Sequence, residues 1–328
     1  MIKTYSIAIV GATGLVGRKM LQVLDEHNFP INEIKLFASK KSAGTKIIFK
    51  NQELIVEELN PKSFKNIDIA LFSAGSDISK EYAPIAVESK CIVIDNSSAW
   101  RMDKNVPLVV PEVNSKALYN HNYIIANPNC STIQLVVALN PLHQKFNIKR
   151  VVCSTYQSVS GAGQKGIDKL KAELKDEIYD NNIKYAYNTV FHPFSENRFT
   201  IEENKMINEL HKILDDKIQI AVTCVRVPTL GGHAESINIE FEKEFQIEDI
   251  KYILSNSEGI VLMDNFKENV YPYPEIVNDS DFVYVGRIRK DTSVKNGLYM
   301  WVVADNLRKG AATNAVQIAE KMIELDLI

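Results

Sequence analysis

The chain has 328 residues, 45% of them hydrophobic, with 38 Lys plus Arg against 41 Asp plus Glu for a formal charge of -3. That length favours two domains, each able to bury a core, and the near-balanced charge argues against a general nucleic-acid binder. No hydrophobic run reaches the roughly 18 residues that span a bilayer, and the opening MIKTYSIAIVGATG runs into a strand and a Gly-rich turn rather than a cleavable leader, so a cytoplasmic enzyme with no membrane partner is expected.

Residues 5–10 read as a buried strand, 15–24 as a helix and 34–38 as a second strand. Residues 67–72 and 91–95 read as further strands with a helical stretch between them. Short apolar runs alternating with helical periodicity predict an α/β domain built on a doubly wound (Rossmann-type) parallel sheet. After residues 123–126 the chain reads Asn-Pro-Asn-Cys-Ser-Thr and enters an apolar helix at 133–142. Longer strands follow at 151–159, 218–227, 235–241, 282–288 and 298–305. They predict a second, α+β domain with a mixed or antiparallel sheet covered on one face. A strong helix at 311–325 closes the chain, and neither an internal repeat nor a low-complexity linker interrupts it.

The segment Gly11-Ala12-Thr13-Gly14-Leu15-Val16-Gly17 follows a strand and opens a helix. A helix N-terminus offers free N–H groups and a positive dipole end to a pyrophosphate. The spacing is G-x-x-G-x-x-G, not the stricter G-x-G-x-x-G of the usual NAD fingerprint, and a tight turn without a ligand is the plain alternative. At the end of the second strand comes Phe37-Ala38-Ser39-Lys40-Lys41-Ser42, with no carboxylate for a ribose 2'-hydroxyl but with cations and hydroxyls suited to a 2'-phosphate. NADP is therefore favoured, although in a chain with 30 Lys either lysine could simply be solvated.

The four cysteines, Cys91, Cys130, Cys153 and Cys224, are too few and too dispersed for a disulfide framework or a zinc ribbon. Cys130 differs from the rest because Asn127-Pro128-Asn129 before it and Ser131-Thr132 after it are helix-starting residues. A thiol at a helix start is favoured as thiolate, the nucleophilic form; the other three lie in apolar strand patterns and read as core. Among the histidines, His233 follows the Gly231-Gly232 turn, where a loop imidazole could take and give a proton. His27, His121, His143 and His211 fall in polar contexts that suggest the surface, and His192, between Phe191 and Pro193, could be either. No Cys/His spacing suggests a metal site.

Only 8 residues are Arg, so placement matters. Arg226 lies seven residues before His233, and Arg101 follows the strand ending at Asp95, where ligands of parallel sheets collect. They suit two anionic groups, one carboxylate and one phosphate, or else structural ion pairs. Glu202 and Lys205, at i and i+3, would share a helix face, by default as a surface pair.

In their joint order, GATGLVG, FASKKSAG, SAGSDISK, DNSSAWRM, VVPEVN, NPNCST, YQSVSGAG, EENKM, RVPTLGGHAES and KGAATNAVQIAE closely resemble the aspartate-semialdehyde dehydrogenase family over nearly the full length. The resemblance implies that Cys130 is the acyl-thioester nucleophile, His233 the acid/base and Gln157 an orienting residue. It likewise implies that Arg226 holds the substrate carboxylate, Arg101 and Lys205 hold phosphate, and Glu202 supports the substrate site. For the cofactor, NADP, it points to Gly11, Thr13, Gly14, Leu15, Val16, Ser39, Lys41, Ser42, Ala74, Gly75, Asn96, Ser160, Gly161, Asn314 and Gln317. Lys41 stands where many relatives carry Arg. Further implications are an NADP-binding domain of residues 1–128 and 308–328, with the last helix returning to it, and a catalytic and dimerisation domain of residues 129–307. The implied enzyme is a homodimer that reduces L-4-aspartyl phosphate to L-aspartate 4-semialdehyde and phosphate, reversibly, in the biosynthesis of lysine, methionine, threonine and diaminopimelate. Two alternatives remain. One is a sister reductase of N-acetyl-glutamyl-phosphate or malonyl-CoA type, which the Arg226, Glu202 and Lys205 set disfavours. The other is a non-catalytic NADP-sensing protein, which would be expected to have lost Cys130, His233 or Arg226.

Overall fold

In the computed structural model, which describes residues 3–328, the apolar run YSIAIV forms β1 (Tyr5–Val10), buried at five of its six positions. The chain then turns at Gly11 into α1 (Leu15–Glu26). Gly11 has φ +88°, and a Cβ there would sit 2.8 Å from the Ser73 carbonyl oxygen; one at Gly17 would sit 2.3 Å from the Gly11 carbonyl oxygen. Both positions therefore exclude a side chain, which lets the helix start pack directly on the end of β1.

The chain continues through β2 (Ile31–Ala38), a hairpin of β3 (Lys46–Phe49) and β4 (Gln52–Ile55), β5 (Glu57–Glu58), β6 (Ile69–Phe72), α2 (Ser76–Glu88), β7 (Ile92–Asp95), a short α3 (Pro111–Asn114) and β8 (Ile124–Ala126). Six strands form one sheet in the order β5-β2-β1-β6-β7-β8, every pair parallel. After β2 the chain crosses back to the far side of β1, so the C-terminal end of β1 is the switch point where open α/β sheets bind ligands.

The next elements are α4 (Cys130–Phe146), β9 (Ile148–Gln157), α5 (Gln164–Glu173), β10 (Val190–Phe191), α6 (Ile201–Ile213), β11 (Gln219–Arg226), β12 (His233–Phe241), α7 (Ile247–Ser255), β13 (Ile260–Leu262), β14 (Val283–Asp291) and β15 (Gly297–Ala304). Their strands make a seven-stranded sheet, β10-β11-β9-β12-β15-β14-β13. β9–β11 and β13–β14 are parallel and the other neighbours antiparallel, so the sheet is mixed. α4 is buried along most of its length and packs against α6, α7 and the sheet. The other face presents Tyr156 and Trp301, whose rings lie 5.6 Å apart. After a π-turn at Arg308–Ala312 the chain ends in α8 (Thr313–Glu324), which packs on α1, α3 and β7 of the first sheet. By contact density, residues up to Asn129 with Ala311–Ile328 form one unit and Cys130–Gly310 the other.

Several boundaries differ from the sequence reading. α4 begins at Cys130 rather than 133 and runs to Phe146; Cys-Ser-Thr looks like a cap but is already helical. β9 spans Ile148–Gln157, ending two residues before the expected 159, where a 3-10 turn at Val159–Ala162 takes over. The β3–β4 hairpin has no counterpart in the sequence reading, because its strands are four residues long and half exposed. Among the described residues no helix is long and apolar enough to cross a membrane.

Candidate active site

Cys130 is the first residue of α4, half-buried, at the positive end of the helix dipole, a position that stabilises thiolate. Gly310 packs against it so closely that a Cβ there would sit 2.8 Å from the Cys130 Cβ. Cys91, Cys153 and Cys224 are fully buried, and burial pushes each of their thiols well up. They are inert core residues, as their apolar contexts suggested.

The sheet supplies the rest of the group. In the β9–β11 register Gln157 faces Arg226, and in β9–β12 Tyr156 faces Ala234, which sets His233 one step along beside Gln157. Arg226, Gln157 and His233 thus form one row across three strands, on the face towards α4 and α6. Gln157 Nε2 donates to Ser131 Oγ at 3.0 Å and to Glu202 Oε1 at 3.3 Å, joining the first turn of α4 to α6.

His233 is not in a loop, as its Gly-Gly context suggested. It is the first residue of β12 and pairs with Ala304, because the ladder with β15 extends two residues beyond the expected start at 235. Its side chain is fully buried. The Ser158 backbone N–H donates to Nδ1 at 3.0 Å, with Ser158 Oγ at 3.1 Å. A backbone amide can only donate, so Nδ1 is an acceptor and the proton of the neutral ring sits on Nε2. Nε2 has no hydrogen-bond partner, and a Cβ on Gly161 would lie 3.3 Å from it and 3.1 Å from Arg226 Nη1. Burial, with the Arg226 guanidinium second, pushes the His233 pKa down to about 3 against the opposing pull of Glu202. The ring is therefore neutral, with its one N–H aimed at Gly161.

Glu202 and Lys205 are also not the surface pair expected of them. Glu202 is only 6% exposed, bonded on one oxygen to Gln157 and on the other to Lys205 Nζ at 3.1 Å. The reason lies at the start of α6: Thr200 and Glu203 form a capping box, and Glu203 Oε1 accepts the Cys224 backbone N–H at 3.0 Å. That bond pins the first helical turn to β11 and turns Glu202 inward. His192, undecided from sequence, belongs to the same group. It follows edge strand β10, whose Val190 faces Arg226. Burial first, then Arg226 and Lys205, pushes its pKa down to about 4 against Glu202, and its Nε2 is unpartnered. His143 and His211, expected on the surface, are instead partly buried and bonded, to the Ile148 N–H and the Ile218 carbonyl.

Other members carried no sequence signal. Asn306, just past β15, accepts on one oxygen from Ser158 Oγ at 3.0 Å, Ser160 Oγ at 3.1 Å and the Gly232 N–H at 3.1 Å. It thereby fixes the segments on either side of His233. Arg226 donates from Nη1 to the Ser158 carbonyl, which orients the guanidinium.

In the first unit, the turn after β1 fits a dinucleotide phosphate. The Gly14 N–H at the cap of α1 donates to the Gly11 carbonyl at 3.1 Å, which tightens the turn and leaves the backbone N–H groups of Thr13, Leu15 and Val16 as the donors of that end. Ser39, Lys40 and Lys41 stand exposed on a 3-10 turn after β2, with Ser42 half-buried and no carboxylate among them, a donor set that fits a 2'-phosphate. Gly75, φ +89°, follows Ala74 and caps α2. Arg101 is nearly buried, donating to the carbonyls of Asn127 and Asn96 at 2.9 Å each. Asn96 also accepts from Asn127 through its side chain, and fully buried Asn314 donates to Asn127 and to the Val109 carbonyl. Gln317, one turn further along α8, is half-buried. Among the described residues no group of three or more His, Cys, Asp or Glu could hold a metal ion.

Two family models match the chain: "Semialdehyde dehydrogenase, NAD binding domain" over residues 6–121 and "Semialdehyde dehydrogenase, dimerisation domain" over residues 139–309. An aspartate-semialdehyde dehydrogenase of Aquifex aeolicus is 52% identical over 338 residues, covering 99% of each chain. The chain belongs to the aspartate-semialdehyde dehydrogenase family. The crystal structure of aspartate semialdehyde dehydrogenase II from Vibrio cholerae complexed with ASA superposes with a TM-score of 0.95 at 42% identity, over 98% of this chain and 99% of that one. The enzyme of Candida albicans, in a structure with NADP, gives a TM-score of 0.79 at 26% identity, over 99% and 100%. Members of this family are oxidoreductases, and the unit holding the Gly11 turn corresponds to their nucleotide-binding domain.

Proposed function

We propose that the chain catalyses the NADP-dependent, reversible reductive dephosphorylation of L-4-aspartyl phosphate to L-aspartate 4-semialdehyde through an acyl thioester on Cys130. The observation that carries the reading is one unit holding a thiol at a helix start together with a neutral, buried imidazole whose single N–H is unpartnered. In the reducing direction the Cys130 thiolate attacks the acyl carbon, a C–S bond forms, and the C–O bond to phosphate breaks. When bound, the reduced nicotinamide supplies hydride to the thioester. His233 Nε2–H donates a hydrogen bond to the carbonyl oxygen and stabilises the negative charge that develops there as hydride arrives; the thiohemiacetal oxyanion then collapses, the C–S bond breaks, and aldehyde and the Cys130 thiolate are released. In the oxidising direction the same N–H stabilises the oxyanion formed as the Cys130 thiolate adds to the aldehyde, and once hydride has left, phosphate cleaves the resulting thioester.

Around these two residues, Arg226 holds the substrate carboxylate, its guanidinium oriented by the Ser158 carbonyl. Gln157 orients the acyl group, and Glu202 supports the substrate while holding Lys205. Phosphate is assigned to Lys205, and to Arg101 on family resemblance alone. NADP over NAD rests on Lys41, Ser39 and Ser42, supported by the relative whose structure contains NADP. The remaining contacts proposed for the cofactor are Gly11, Ala74, Gly75, Asn96, Ser160, Gly161, Asn314 and Gln317. Residues 1–128 with 308–328 would form the NADP-binding domain, and residues 129–307 the catalytic domain that pairs two copies in a homodimer.

The deciding assay supplies aspartate semialdehyde, N-acetyl-glutamate semialdehyde or malonate semialdehyde with NADP and phosphate. Phosphate-dependent NADPH formation with the first alone is expected. Equal or faster turnover of either other aldehyde would overturn the substrate assignment.

A further inference from the structure

A second polar pair lies directly beneath Cys130 and His233. Glu235 follows His233 by two residues on β12, so both side chains leave the same face of the sheet; Gln134 follows Cys130 by one helical turn on α4. Glu235 is fully buried and Gln134 is 1% exposed. The register sets Glu235 between Thr155 of β9 and Val302 of β15. The titratable groups that feel it are the buried thiols of Cys153 and Cys224. Cys224 in turn feels Glu202 and Glu203 of α6. The side chain acting on the Glu235 carboxyl is Gln134, which pulls its pKa down against the larger, opposite effect of burial. Yet neither oxygen of Glu235 and neither amide atom of Gln134 makes a direct hydrogen bond.

Four buried polar atoms left unmatched would be a heavy penalty. Donor counting singles out one arrangement that satisfies all four. An ionised Glu235 could accept from Gln134 Nε2, but its second oxygen would then oppose Gln134 Oε1. A neutral carboxyl donates its O–H to Oε1 and accepts from Nε2, closing a two-bond ring after a small side-chain adjustment. We propose that Glu235 and Gln134 form an uncharged carboxyl–amide clamp that fixes the helix carrying Cys130 against the strand carrying His233, making Glu235 a positioning residue for the thiol and the imidazole. Burial, which pushes the Glu235 carboxyl well above the usual carboxylate range, acts in the same direction. The inference rests on the reading of Cys130 and His233 as the reacting pair.

The test uses the full chain with Glu235→Gln, Glu235→Leu and Gln134→Leu. Three quantities are measured: kcat and KM for aspartate semialdehyde with NADP and phosphate, the rate of Cys130 alkylation by iodoacetamide from pH 6 to 9, and the infrared carboxyl band in D2O. Glu235→Gln, which can pair with Gln134 but cannot ionise, should keep kcat and alkylation within about twofold. Each Leu variant should lower kcat tenfold or more with KM nearly unchanged and should shift the alkylation profile, the mark of a thiol moved from its partner. At pH 8 the wild type should show a protonated-carboxyl band that Glu235→Gln lacks. The clamp is overturned if Glu235→Leu behaves as wild type, if Glu235→Gln is as impaired as Glu235→Leu, or if the band is missing. The band needs no folded Leu variant. If the wild type turns over no aspartate semialdehyde, the substrate reading fails while alkylation and infrared still decide the clamp.

Discussion

Because His233 is buried as a neutral imidazole, acid should destabilise the folded chain through this one group by an amount that can be worked out. The unfolded ring takes a proton near pH 6.5 and the folded ring only near pH 3. Its stabilising contribution is therefore complete above pH 6.5 and is lost as pH falls from there towards 3. Each pH unit in that interval costs about 1.4 kcal/mol, so at pH 4.5 the loss is about 2.7 kcal/mol. For a unit of this size that is about 5 to 10 °C in melting temperature. The comparison is with His233→Asn, whose side-chain oxygen can still accept the Ser158 N–H but cannot be protonated in this range. Melting curves of both proteins at pH 7, 5.5 and 4.5 give a double difference in which the other titrating groups cancel. The wild type should lose that much more than the variant between pH 7 and 4.5. Parallel losses would refute the neutral, buried state of the ring, and with it the assignment of the Nε2 proton.

Other outcomes follow from the same geometry. Cys130→Ala should abolish turnover and leave NADP binding near normal by fluorescence titration; retained activity would remove Cys130 as nucleophile. Gly161→Ala should lower kcat about tenfold or more by setting a methyl group against His233 Nε2, with melting temperature nearly unchanged. Lys41→Ala should raise KM for NADP several-fold and leave KM for NAD alone, a ratio read from initial rates. Thr200→Ala breaks the capping box that turns Glu202 inward, which should cost about 1 kcal/mol in denaturant unfolding and raise KM for the aldehyde.

How far the molecule was legible in its sequence depended on the range of the forces involved. β1, the Gly11 turn and α1 were plain, since a strand buried on both faces is a continuous apolar run and the turn needs residues without side chains. The thiol at the start of α4 was visible through its flanking Asn, Pro, Ser and Thr. The helix boundary slipped because residues that cap can also begin the first turn. Glu202 and Lys205 misled, because i, i+3 spacing shows that two charges share a helix face but not which way the face points. That orientation comes from Glu203 bonding a strand amide 21 residues away. The strand position of His233 was hidden by the Gly-Gly before it, while pairing with Ala304, 71 residues on, decided it. Glu235 and Gln134 looked like ordinary polar alternation along a strand and a helix. Their burial follows only from the packing of α4 on the mixed sheet.

Asn306 has a practical consequence for anyone recombining members of this family. A single amide oxygen at the exit of β15 ties together the turn after β9 and the Gly231-Gly232 bend, reaching residues 74 to 148 positions before Asn306 along the chain. A chimaera with a crossover between residues 160 and 306 inherits one end of this tie from each parent. Chimaeras that keep residues 158–160, 232 and 306 from one parent should outperform those that split them, whatever their overall similarity.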